Sequence, residues 1–359
     1  MEQVLSSADL IPPAVSSVRV HELTPAREKE WDRFVGEQPN GSFFHLTGWK
    51  HVIEKTFGYQ PRYSYAERNG TITGIAPLFY VSNWLVGRCL ISVPLAAYGG
   101  VCEADEESGC RLTENLREQA TSSGIDYLEL RHRGGGLLPG FHQNPLYVNF
   151  TTTLSANPEE NFKRLPRDTR YMIRKAEKAG LRASHGLEQL DVFYELFAQS
   201  MQRHGTPVFP RTLFENLRET FGNKLDLLMI YRGSQAVSGV LSFFFRDAIL
   251  PYYAGAGPDA PRLAANNFMY WELMKKAAQD GFRTFDFGRS KKHTGSYAFK
   301  SQWNMNVNTL DYQVFLVKRK TVPNFSPANP KFEFATRAWR HLPLWLTKQL
   351  GPRVVRWIP

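Results

Sequence analysis

The sequence predicts a mixed α/β fold made of two similar halves. Hydrophobic periods of two and of 3.6 residues alternate along the chain, marking strands and helices. The order of elements in the first half returns in the second, with only weak residue identity, as two copies of one domain would give. A length of 359 residues suits two domains of ordinary size.

Residues 1–17 are polar, contain Pro12-Pro13 and read as a disordered N-terminus. The first domain spans 18–150. It opens with the strand-like "VRVHEL" and a helix from about 25 to 36 that carries Trp31, Phe34 and Val35 on one face. "SFFHLTGWKHVIEKTFG" reads as a second helix closed by Gly58. "PRYSYAER" and "TITGIAPLFYVS" flank Asn69-Gly70, a hairpin turn pair. "RCLISVPLAAYGGV" is a strand entering a Tyr98-Gly99-Gly100 turn, followed by a helix over 106–123 and the strand "IDYLELR".

The second domain spans 151–320. "NPEENFKRLPRDTRYMIRKAEKAG" is helical, with Pro166 placed to open a new helix. Two more helices follow, then "LDLLMIYR" and "AVSGVLSFFFRD" around Gly233, and "AILPYYAGA" as a third strand. A helix over 266–280 leads to the strand "FRTFDFG", a basic glycine-containing loop and "LDYQVFLVKR". Residues 321–359 read as a linker, "TVPNFSPANP", and a basic amphipathic helix suited to packing on the first domain or lying on a membrane surface.

Composition narrows the function. A hydrophobic share of 42% belongs to a folded chain. Three cysteines without a CxxC pair argue for a reducing compartment and against a zinc site. No signal peptide and no membrane-spanning run are visible, so a cytoplasmic protein is expected, peripheral at the inner membrane if the C-terminal helix docks there. A formal charge of +10 and a pI near 9.4 favour an anionic partner.

That charge is concentrated. Eight basic residues against two acidic ones lie between 161 and 182, and Arg167, Arg170, Arg174 and Lys178 share one helix face, a candidate polyanion-binding surface. Further candidates are Arg203, at a helix end before a Gly-Thr-Pro turn, and Tyr252 and Tyr253, at a strand end beside small residues. In "FDFGRSKKHTGSYAFKSQW", Arg289, Lys291, Lys292 and Lys300 read as charges around the mouth of a cleft. Asp-Phe-Gly here does not signal a kinase, because the glycine-rich phosphate loop and the catalytic loop are missing.

The set "LPRDTRYMIRKAEKAGL", "MQRHGTPVFP", "NNFMYWELMKKAAQDGFRTFDFGRS" and "YAFKSQW" resembles the FemAB/FemX peptidyltransferase family. Within it, the chain is most similar to the FemAB-related proteins that accompany exosortase/PEP-CTERM and exopolysaccharide systems. The resemblance implies two tandem GNAT-like acyltransferase domains, each a mixed, mostly antiparallel sheet flanked by helices. It implies N-acyl transfer to an amine of a nucleotide- or lipid-linked, anionic envelope precursor, with no bound cofactor. The activated donor would be aminoacyl-tRNA or acyl-CoA; DNA is not expected as a partner.

By position, Phe299-Lys300 resembles the family's aromatic–lysine pair, whose ammonium would stabilise the oxyanion of the tetrahedral intermediate. Arg203 resembles an arginine that holds precursor phosphates, Tyr252 or Tyr253 a cleft tyrosine, and Lys50 a first-domain phosphate-binding lysine. "RLAANN", 262–267, lacks the glycines of the pyrophosphate loop used by coenzyme A-dependent relatives, which weakens that donor. The alternative is a non-catalytic module that binds tRNA or phospholipid, or a membrane-docked assembly protein of polysaccharide export.

Overall fold

The computed structural model describes residues 17–323 and 330–359. The N-terminus expected to be disordered lies outside the described residues up to position 16, as do linker residues 324–329. Two mostly antiparallel sheets flanked by helices carry the fold.

Among the described residues the first sheet has eight strands. Its order is Arg19–Glu22, Gln60–Arg68, Thr71–Asn83, Gly87–Ser92, Tyr127–His132, Asp311–Leu316 and His142–Asn144, with Cys102–Glu103 beside Thr71–Asn83. The second runs Asn306–Thr309, Tyr147–Thr153, Thr284–Lys291, Ala248–Ala256, Gln235–Phe245, Leu225–Arg232 and Leu181–His185. Asn69 and Gly70 both have positive φ, as the two-residue hairpin between Gln60–Arg68 and Thr71–Asn83 requires.

The halves are more interwoven than a cut at 150 and another at 320 would make them. Tyr147–Thr153 belongs to the second sheet, and a boundary at 150 divides it. Asp311–Leu316, counted with the second half, inserts into the first sheet between Tyr127–His132 and His142–Asn144. One aromatic core also spans both halves. Phe43 stacks on Phe243 with centroids 4.3 Å apart, Phe44 packs on Tyr252, and the buried Asn216 amide donates to Thr56 at 2.9 Å.

The expected single C-terminal helix is two helices, Pro330–His341 and Leu344–Val355, because Pro343 cannot continue the first. They pack on the helix Leu190–His204, through the Gln202 bond to the Leu342 carbonyl and the Lys348–Glu195 ion pair. The chain end then crosses to the first sheet, where Tyr59 donates to the Arg356 carbonyl at 2.8 Å. No helix among the described residues is long and apolar enough to cross a membrane.

Helix Leu190–His204 lies very close to strand Ala248–Ala256. A Cβ on Gly255 would stand 2.5 Å from the Phe197 backbone nitrogen and 2.6 Å from its Cα. Backbone cannot yield as a side chain can. Gly255→Ala is therefore expected to destabilise the protein by about 1–3 kcal/mol, the usual range for overpacking. Thermal or denaturant unfolding measures this, and an unchanged midpoint would mean that helix and strand stand further apart.

Candidate functional site

Each sheet contains one parallel pair, and in both the pair separates after a short contact. In the first sheet, Gly87–Ser92 and Tyr127–His132 are in register only at Cys89–Tyr127, Leu90–Leu128 and Ile91–Glu129. In the second, Ala248–Ala256 and Thr284–Lys291 pair only at Ala248–Thr284 and Ile249–Phe285. Beyond these points the strands diverge and leave a gap in each sheet.

The gap in the first sheet opens into a cavity of about 780 Å³. Its wall includes Tyr98, Gly100, His132, Arg133 and the glycines 134–136, together with Glu103, Glu106 and Glu114. The Val101 amide donates to His132 Nε2 at 3.1 Å, so the proton of the neutral ring sits on Nδ1, which has no protein partner. His45 shows the opposite tautomer. Its Nδ1 accepts from the Ser42 amide and its Nε2 donates to the Gly100 carbonyl at 3.0 Å. Burial pulls both imidazoles down to about 4, so both are neutral at pH 7.

The loop after Gly87–Ser92 positions this wall under strain. Val93 and Leu95 have φ of 49° and 61°, left-handed values that non-glycine residues, above all a β-branched one, rarely adopt. Side chains hold the loop through its carbonyls. Arg131 donates to those of Val93 and Ala96, Trp49 to Pro94, Tyr252 to Leu95 at 2.7 Å, and Tyr312 to Ala97.

Asp286 joins the cavity wall to the second sheet. Its buried carboxylate accepts from the Tyr98 hydroxyl, from Arg133 at 3.1 Å and from the Gly288 amide at 2.9 Å. The Arg133 guanidinium also lies 4.1 Å over the Tyr98 ring. Burial, with Asp286 beside it, pushes the Tyr98 phenol well above its ordinary value. The register breaks between Asp286 and Arg289, and Gly288 takes a φ of 70° there.

Lys300 fills the reverse side of this break. The expected loop contains a short helix, Gly295–Ser301, capped by the Thr294 hydroxyl, and Lys300 in its last turn reaches back. Its ammonium donates to the carbonyls of Phe287 at 2.5 Å, Gly288 at 3.2 Å and Arg289 at 3.2 Å. Burial lowers its pKa to about 8; Asp286 opposes that shift and Arg289 adds to it.

The other expected residues fall into three groups. Phe299 packs against Tyr270 and Trp303 and so holds the Lys300 helix to the second core. Tyr252 anchors the strained loop, whereas Tyr253 is buried among Phe197, Phe209 and Phe214 with an unpartnered hydroxyl. Arg203 donates to the Ala256 carbonyl, at the end of a strand that borders the second gap.

Arg289 does not stand at the mouth of a cleft. It turns inward, donating to Tyr312 at 3.0 Å and stacking on Tyr147, and its tyrosine neighbours raise its pKa although burial opposes them. Lys50 lies apart from these groups, ion-paired with Glu28 at 2.5 Å beside a separate cavity of about 70 Å³. Arg167, Arg174 and Lys178 are exposed on the helix Arg167–Lys178, and Arg170 is half-buried. Thr169 ties that helix to the Gln302 carbonyl, two residues after Lys300.

Sequence reading missed Tyr98, His132, Arg133 and Asp286. The signal available was "RHRGGG", basic residues and three glycines directly after a buried strand. In the stretch 262–267 the amides of Leu263, Ala264 and Ala265 are bonded to the carbonyls of Asp259, Pro261 and Ala260. No cluster that could hold a metal ion occurs among the described residues.

The comparisons with known proteins agree with this fold. A family model described as an acetyltransferase (GNAT) domain matches residues 163–301. A lipid II:glycine glycyltransferase of Staphylococcus haemolyticus is 22% identical, over 77% of this chain and 88% of that one. The crystal structure of FemX superposes with a TM-score of 0.65 at 17% identity, covering 84% of this chain and 98% of that chain. A tandem GNAT protein from the clavulanic acid biosynthesis pathway gives a TM-score of 0.56 at 8% identity, covering 85% and 100%. They bear out the resemblance to the FemAB/FemX family and the expectation of an acyltransferase of the FemAB/GNAT type.

The Asp286 junction yields a stability test. Removing one partner of a buried, hydrogen-bonded charge pair strands the other. Asp286→Ala is expected to cost about 3 kcal/mol, and Arg133→Ala less, because Arg133 is 47% exposed. Equal, small losses in denaturant unfolding would mean that Asp286 does not bear on the fold.

Proposed function

We propose that the chain is an N-acyltransferase joining an activated acyl group to an amine of an anionic envelope or exopolysaccharide precursor. The observation that carries this reading is the position of Asp286. One strand segment forms part of the support for the cavity wall through Tyr98 and Arg133, and cages Lys300 with the next three carbonyls.

In this reading the precursor occupies the first-sheet cavity. Arg133 and the His132 Nδ1–H suit its anionic groups, and the glutamates of the lining suit its ammonium. The acyl donor approaches through the gap of the second sheet, on the Lys300 side. The acceptor ammonium first gives a proton to solvent; the neutral amine nitrogen then attacks the acyl carbon, an amide C–N bond forms, and the donor's ester C–O or thioester C–S bond breaks. The proton lost by the amine goes to the leaving oxygen or sulfur. Lys300, leaving one of its three carbonyl partners, would meet the oxyanion of the tetrahedral intermediate.

Aminoacyl-tRNA fits better than acyl-CoA as the donor. The exposed basic face of Arg167–Lys178 is tethered to the Lys300 helix, and the stretch 262–267 lacks the glycines of a pyrophosphate loop and has its Leu263, Ala264 and Ala265 amides bonded to backbone carbonyls. The glycyltransferase and FemX likenesses support the same class of chemistry. We place the protein in the cytoplasm at the inner leaflet, where such precursors are handled.

A transfer assay tests the reading. Labelled aminoacyl-tRNA and labelled acyl-CoA are offered separately to the purified chain with an envelope-precursor extract. Transfer from one donor is expected, reduced about 10²–10³-fold in Lys300→Ala, the usual loss on removing an oxyanion donor. No transfer from either donor would favour the binding-module reading.

pH supplies a second check. The folded pKa of Lys300, about 8, lies below its unfolded value, so burying the ammonium costs stability below pH 8 and the cost is relieved as pH rises above it. Donor function is lost over the same rise, so kcat should fall above about pH 8. In an active Lys300→Arg variant that fall should disappear, because a guanidinium keeps its proton. Charge reversal of Arg167 and Arg174 should weaken tRNA binding and flatten its salt dependence by about one unit of log–log slope per contact. An unchanged slope would remove this helix from the donor site.

A further inference from the structure

The fold gathers three remote segments at the end of the first sheet opposite the cavity. The first is the hairpin between Thr71–Asn83 and Gly87–Ser92, whose tip carries Trp84, 74% exposed. The second is 317–320, which follows Asp311–Leu316; the Lys318 and Arg319 amides donate to the Asp126 carbonyl, and the Arg319 guanidinium donates to Val86 at 3.2 Å. The third is the chain end, where Trp357 packs on Trp84 with centroids 5.3 Å apart and its carbonyl accepts from Asn83. Arg88, Lys318, Lys320 and Arg356 are exposed around the two indoles. With Arg319 that makes five cations near the carboxylate of Asp126, which accepts from the Arg88 amide at 2.8 Å.

We infer that this end of the molecule docks on an anionic lipid bilayer. An indole three-quarters exposed at a hairpin tip is poorly served by water, and the headgroup layer suits its apolar ring and N–H together. The cations answer a negative lipid surface. No helix among the described residues can cross a bilayer, so the contact lies on the surface.

The placement also fits the reaction. Patch and cavity lie at opposite ends of the strands Gly87–Ser92 and Tyr127–His132, six residues each, or about 20 Å of extended chain. A docked molecule would hold its cavity about that far above the headgroups, a distance that a lipid-linked acceptor with a sugar or peptide spacer can bridge. This last step rests on the proposed acceptor; the docking does not.

The test is co-sedimentation of the full chain with vesicles of phosphatidylcholine, alone or mixed with phosphatidylglycerol. Binding is expected only to the anionic vesicles, weakening as salt is raised. Trp84→Ala, and separately Arg88→Glu with Lys320→Glu, should each lower the partition constant about tenfold or more, the size expected for losing an interfacial anchor or two basic contacts. These side chains are exposed, and transfer to a water-soluble acceptor should be unchanged in both variants. Sedimentation equal with neutral and anionic vesicles, or unaltered by the substitutions, would overturn the inference. So would tRNA binding lost in these variants without vesicle binding, which would make the patch a nucleic-acid surface. Loss of transfer in the parent chain would count against the proposed function and leave the docking result standing.

Discussion

Five consecutive carbonyls, from Val93 to Ala97, each accept a hydrogen bond from a side chain that comes from elsewhere in the fold. Arg131 and Tyr312 come from the first sheet, Trp49 from the helix Thr47–Phe57 and Tyr252 from the second sheet. Two residues of this loop hold left-handed backbone angles, a conformation that costs of order 1–3 kcal/mol each and persists only where the surroundings over-determine it. The loop delivers Tyr98 to Asp286 and Gly100 to the cavity. Cavity, Asp286 junction and Lys300 cage therefore all depend on this loop being held.

That dependence explains which parts of the site were legible in the sequence. The strands and helices were, because period and turn residues are local properties: Asn69-Gly70 and Pro166 stand where their chemistry requires. Lys300 stands out in the sequence through the resemblance of Phe299-Lys300 to the family's aromatic–lysine pair. The strained loop could not, because "VPLAAYGG" reads as an ordinary strand end and its partners lie up to 215 residues away. Arg289 was misplaced for a related reason. Among lysines it looked like a surface charge, but the tyrosines that bury it, Tyr147 and Tyr312, are remote in sequence. The helix Gly295–Ser301 is not marked in the sequence, being only seven residues long and mostly glycine, serine and aromatic residues of low helix preference. Asp311–Leu316 was assigned to the wrong half because periodicity identifies a strand and not its neighbour.

Charge in this protein has three separate settings. Arg131 and Arg289 are inward and act as structural donors, and Arg133 donates to Asp286 from the cavity wall. The helix Arg167–Lys178 presents an exposed basic face joined to the Lys300 helix. The hairpin around Trp84 presents a third set at the far end of the first sheet. A formal +10 alone cannot separate these. Their positions can: one set lies around the cavity and the strained loop, one is tied to the Lys300 helix, and one lies at the far end of the first sheet.

The claim that joins these settings is that filling the first-sheet cavity is felt at Lys300 through Asp286. Hydrogen–deuterium exchange of the full chain, with and without an amine-bearing nucleotide-linked envelope precursor, tests it most directly. Added protection is expected at 98–101 and 132–136, which line the cavity, and also at 286–301, which does not. Protection of the cavity segments with 286–301 unchanged would contradict the coupling, and protection confined to other regions would place the acceptor elsewhere.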